Sequence, residues 1–141
     1  MRIMAIDYGD ARTGVAISDM MCMLAGESFV IADKSFSSLA DKLCDAVKTH
    51  DIAEIALGYP KNMNGTVGER GMKSERLASV LRERLNIPVV LWDERRTTAD
   101  AHRILSETGR HGKQRKERID AVAAALILEG YLVFRKSKEL T

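Results

Sequence analysis

RIMAIDYGDARTGVAIS, residues 2–18, is the stretch on which the fold turns. Arg2 to Asp7 is a short apolar run ending in a carboxylate, Thr13 to Ser18 is a second run, and the Gly9-Asp10 step between them is turn chemistry. Strands joined by so short a connection pair antiparallel. Leu24 to Ala32 reads as a third strand, set off by Asp19 and Gly26, so the chain opens with a meander.

Beyond the meander the hydrophobic period changes. Leu39, Leu43, Ala46 and Val47 recur at helical spacing within Ser38 to Thr49, which predicts an amphipathic helix. Ala53 to Tyr59 reads as a strand, Met72 to Leu85 as a helix and Pro88 to Trp92 as a buried strand. Thr97 with Asp100 three residues on has a capping-box pattern and opens a further helix. The last helix is predicted from near Glu117 to about Arg135. Strands alternating with helices need crossover connections, so the later strands lie parallel to the first. The prediction is an α/β fold: one mixed five-stranded sheet flanked by helices, with residues 1–141 forming a single domain. Pro60 to Gly71 and Thr108 to Lys116 look least regular. Gly65, Gly68 and Gly71 match neither a dinucleotide fingerprint nor a P-loop, since no Gly-Lys-Ser/Thr follows, and that segment reads as a substrate-contacting loop.

Composition narrows the class. Hydrophobic residues at 45% and charged residues at 30% are the balance of a globular protein. Cys22 and Cys44 form no close-spaced pair, which predicts reduced, packed thiols. No apolar run approaches the roughly twenty residues a membrane span needs, and Met1-Arg2 leads straight into a strand. The expectation is a cytoplasmic protein with no membrane partner. His50, His102 and His111 are scattered without ligand spacing, which argues against zinc. Lys and Arg total 22 against 20 Asp and Glu, so net charge alone identifies no polyanionic partner.

The placement of the acids is more informative. Functional groups of open α/β sheets gather at the carboxyl ends of strands. Asp7 ends the first strand, and Asp93 with Glu94 follows the VVLW strand. Asp120, early in the last helix, shares a stripe with Ala123, Ala124, Ile127 and Leu128 and so faces the sheet. Each alone has an ordinary explanation as a cap or turn residue. Together, carboxylates converging on one edge repel each other, and a divalent cation relieves the repulsion. Oxygen-only ligands with open positions suit Mg²⁺ or Mn²⁺, and two such ions can serve phosphodiester hydrolysis. Asp7, Glu94 and Asp120 are the predicted metal ligands. Strand side chains alternate faces, so of Asp93 and Glu94 one is ligand and the other support. Longer reach and a shared face with Trp92 favour Glu94; Asp93, kept as the alternative, would orient Arg95 or cap the Thr97 helix. Trp92 itself reads as core.

Cations lie close to these acids. Arg12 is placed either on a phosphate or in a surface ion pair with Asp10 or Asp19. Arg110, Lys113, Arg115 and Lys116 precede Asp120, where a polyanion would approach a metal site. With Arg95 they are the candidate nucleic-acid contacts. Gly9 and Gly14 are read as allowing a tight turn and close approach of a phosphate.

Four blocks then resemble the YqgF/RuvX family, in order and across nearly the whole chain: Asp7-Tyr8-Gly9-Asp10-Ala11-Arg12-Thr13-Gly14, Leu57 to Gly65 (LGYPKNMNG), Asp93 to Thr98 (DERRTT) and Asp120 to Leu128 (DAVAAALIL). Tyr59 departs from the aliphatic residue usual there. The resemblance implies a ribonuclease H-like fold and a nuclease acting on structured nucleic acid, either maturing the 5′ end of a 16S rRNA precursor or resolving Holliday junctions, the latter favouring a homodimer. A non-catalytic nucleic-acid-binding module on the same fold is the remaining alternative. Actin-like sugar kinases also open with a strand ending in Asp-x-Gly, but they need two such domains and have no place for the Asp-Glu-Arg block.

Overall fold

The computed structural model describes residues 1–22, 25–62, 64–94 and 113–139, with backbone alone for 113–119 and 139. The strands are β1 Arg2–Asp7, β2 Arg12–Ser18, β3 Ala25–Ala32, β4 Ile52–Tyr59 and β5 Val89–Asp93; the helices are α1 Phe36–Thr49, α2 Glu69–Leu85 and α3 Lys113–Glu139. The helix expected to open at Thr97 lies outside the described residues.

The five strands form one sheet in the order β3-β2-β1-β4-β5. The meander pairs antiparallel, while β4 pairs parallel with β1 and β5 parallel with β4. β1 is therefore central, and the carboxyl ends of β1, β4 and β5 share one edge. Alternation divides β1 between two cores: Met4 and Ile6 pack with α1 and α2, whereas Ile3 and Ala5 pack with Ala124, Ile127 and Leu128 of α3. Continuing the alternation turns Asp7 toward α3. On β5, Val89 and Leu91 belong to the α1/α2 side and Val90 and Trp92 to the α3 side. Trp92 is core as expected, its ring edge-on to Tyr131 at 5.6 Å. Among the described residues no helix is long and apolar enough to cross a membrane.

The starts of all three described helices move. α1 begins at Phe36 because the Ser35 side chain accepts a hydrogen bond from the Ser38 amide, a cap ahead of the first apolar repeat. α2 begins at Glu69, so Gly71 is a buried helical residue rather than part of the loop. What remains of that loop is tied down: Lys61 bridges Val67, and Asn62, Asn64 and Thr66 hydrogen-bond among themselves. α3 starts at Lys113, so residues 113–116, expected to be irregular, are helical. Lys, Gln and Arg are strong helix formers that carry no hydrophobic period, so periodicity alone does not reveal that turn.

Candidate active site

Asp7 stands at the end of the central strand, largely buried. Glu94 follows β5, two strands away, yet its carboxyl group shares a hydrogen bond with that of Asp7. It continues the face of Trp92, whereas Asp93 continues the opposite face of Val89 and Leu91. The structure thus brings Glu94 to Asp7 and turns Asp93 away. Burial first, then the charge and hydrogen bond of Glu94 and the charge of Asp120, push the Asp7 carboxyl up to about 7, opposed by the nearby Arg70 guanidinium.

Asp120 adds its field to this pair but is turned to another partner. Arg12 Nε donates to its Oδ2 at 3.0 Å, and both side chains are largely shielded. The acid that Arg12 meets is thus Asp120, while Asp10 receives Lys73 Nζ at 3.0 Å. At Gly14 a Cβ would overlap the Asp120 carbonyl, so it is the backbone of α3 that comes close there. Gly9 keeps its expected role, since a side chain there would collide with the Arg12 carbonyl across the hairpin turn.

Arg95 and Arg110 lie outside the described residues. Lys113, Arg115 and Lys116 are in the first turns of α3. At about 1.5 Å per residue the helix projects about 10 Å past Asp120, so these positions overhang the carboxylate edge. Two further contributors are not among the site residues named from the sequence. Arg70 stands in the first turn of α2, within a segment that reads as loop. Gly58, over which Glu94 crosses β4, carries a legible signal, because glycine inside a strand marks a close approach. Tyr59 faces away from the site, where its hydroxyl donates to Glu75 Oε1 at 2.5 Å and ties β4 to α2.

The donor set bears on the cofactor. Among the described residues no three His, Cys, Asp or Glu side chains form a ready metal cage. Mg²⁺ and Mn²⁺ do not need one: Mg²⁺ keeps several waters and commonly takes one or two carboxylates besides substrate phosphate. The half-buried Asp7–Glu94 pair, all oxygen and in hydrogen-bond contact, fits that requirement. A cavity of about 610 Å³ lined by Met1, Met20, Met21 and Leu132 lies at the far end of β1 and takes no part in this chemistry.

A family model described as "RuvX: Holliday junction resolvase" matches residues 1–133. A Halothermothrix orenii protein is 42% identical over 135 residues, covering 96% of both chains. One from Bacillus subtilis is 44% identical over 134 residues, covering 94% of this chain and 97% of its own. Both carry the name pre-16S rRNA nuclease, assigned to them provisionally. Among solved structures, Thermus thermophilus RuvC in complex with Holliday junction substrate superposes with a TM-score of 0.64 at 12% identity, covering 96% of each chain. The Fowlpox virus resolvase with Holliday junction DNA gives 0.56 at 9% identity, covering 99% of each. At such identities the likeness is of fold, and the fold is the ribonuclease H-like one expected.

Proposed function

The chain belongs to the RuvX family, and from that premise we propose that it is a cytoplasmic, divalent-metal-dependent endonuclease that hydrolyses phosphodiester bonds in structured RNA, maturing the 5′ end of a 16S rRNA precursor. The observation that carries the reading is the half-buried Asp7–Glu94 pair at the carboxyl edge of the central strands, with Asp120 beside it. Asp7 and Glu94 would hold Mg²⁺ or Mn²⁺, with the Asp120 carboxylate adding its negative charge from beside the pair. When bound, the metal supplies positive charge for the phosphate oxygens and eases deprotonation of the attacking water. Arg12 holds Asp120 by its Nε and fixes where that carboxylate stands. Lys113, Arg115 and Lys116 would grip phosphates along the overhanging start of α3, where the helix dipole also favours an anion, and Arg95 and Arg110 are the further phosphate contacts expected from the sequence.

RNA is preferred to DNA because the relatives above 40% identity are named for an RNA substrate. The resolvase reading rests on the family description and on the fold likeness to RuvC. It carries a further requirement, since a four-way junction has two-fold symmetry and calls for a homodimer. Purified protein with Mg²⁺ or Mn²⁺, offered an end-labelled precursor leader and a four-way junction, separates the two. Metal-dependent cleavage of the leader is the expected result. Symmetric nicking of the junction alone would replace the substrate assignment, and cleavage of neither would overturn the enzymatic reading.

A further inference from the structure

On the α3 face of the sheet, both cross-strand neighbours of Asp7 are glycines. Gly14 on β2 is its register partner. Gly58 on β4 stands one step beyond the Ile6–Leu57 pair, level with Asp7, and is itself paired with Trp92 of β5. Glycine weakens a strand, so two of them flanking the last residue of the central strand need a cause. Backbone conformation is not that cause: among the described glycines only Gly65 has a positive φ. The cause is room.

We propose that Gly58 and Gly14 are positioning residues that assemble the carboxylate site: Gly58 opens the passage by which Glu94 crosses β4 to Asp7, and Gly14 provides the seat on which the α3 backbone sets Asp120 beside it. The proposal rests on the nuclease reading of that site. β1 and β5 are two interstrand spacings apart, about 9–10 Å, and Glu94 spans that gap only by lying flat over β4. A methyl group on Gly58 would sit 2.5 Å from Glu94 Oε1 and 2.9 Å from Ile127 Cδ1. Ile127 is 2% exposed and locked between helix and sheet, so the carboxylate is the group displaced. At Gly14 the obstacle is main chain. A methyl group there would overlap the Asp120 carbonyl oxygen and lie 2.7 Å from its carbon, and helix backbone does not yield as a side chain does. α3 would lift as a body, taking Asp120 and its Arg12 partner with it. Gly130 marks the contrast, since a Cβ there meets Trp92 at an ordinary 3.4 Å.

The test places Gly58→Ala in an Ile127→Val background, which removes Cδ1 and leaves Glu94 as the close contact. Mn²⁺ calorimetry and crystal structures are compared with Ile127→Val alone and with Gly130→Ala. Both controls are expected to keep wild-type Mn²⁺ affinity within about twofold, while Gly58→Ala/Ile127→Val loses at least about tenfold. Its Glu94 carboxyl is expected beyond hydrogen-bond distance of Asp7. A double-variant crystal with the two groups still paired, or unchanged Mn²⁺ affinity, overturns the role of Gly58. A stability cycle decides the matter if the double variant does not fold. Gly58→Ala is expected to lower the melting temperature less in a Glu94→Ala background than in wild type, because the contact with Glu94 is then gone and only that with Ile127 Cδ1 remains; an equal loss in both backgrounds overturns the proposal. Wild type failing to bind Mn²⁺ sinks the nuclease reading and leaves this cycle to judge the glycine by itself.

Discussion

Asp7 sits where its charged form is disfavoured. Burial and the fields of Glu94 and Asp120 raise its carboxyl from 3.8 to about 7, with Arg70 opposing. The unfolded chain ionises Asp7 near pH 4, but the folded chain resists until about pH 7. Stability without metal therefore falls as pH rises through that window, by on the order of 4 kcal/mol between the limits, and stays low above it. Melting of metal-free wild type and Asp7→Asn from pH 5 to 8 checks this: the variant is expected to be the more stable at pH 8, and the gap to close toward pH 5. Curves that stay parallel across the range contradict it. A second pair of isosteres separates the neighbours on β5. Glu94→Gln is expected to cut turnover by a hundredfold or more, on the order of 3 kcal/mol in the barrier, without loss of melting temperature. Asp93→Asn is expected to lower stability more than turnover, and the opposite pattern would return the ligand role to Asp93.

At the level of elements, the legible parts are those governed by a period or a turn. The hairpin around Gly9, the central position of β1 and the parallel return of β4 and β5 follow from apolar runs and connection lengths. Glu94 ranks ahead of Asp93 from sequence because strand alternation is local physics. The partners of Arg12 and Gly14 are not legible, for both depend on where α3, more than a hundred residues on, settles against β2. The start of α1 is hidden for another reason: its cap is a serine outside the apolar repeat. Ser35→Ala is expected to cost about 1 kcal/mol in chemical denaturation while leaving Mn²⁺ affinity unchanged. The early start of α3 gives its basic positions a purpose. Replacing Lys113, Arg115 and Lys116 by alanine is expected to weaken nucleic-acid binding across sequences and to flatten its salt dependence by roughly 0.7–0.9 log units for each phosphate released. An unchanged slope would make that turn merely solvated.

At the scale of the molecule, two cores set against one sheet leave the carboxyl edge of β1 and β5 as a place where carboxylates are half-buried yet reachable. The α1/α2 core and the α3 core fix the two faces of β1, and Asp7 is what remains where the strand runs out of apolar partners. Family membership and fold agree with a nuclease built on that edge. The central claim is that the Asp7–Glu94 pair is a divalent-metal site. Calorimetric titration of Mn²⁺ into wild type, Asp7→Asn and Glu94→Gln at pH 8 tests it most directly. Wild type is expected to bind saturably and each variant to lose at least about tenfold in affinity; equal affinity in all three would contradict the claim.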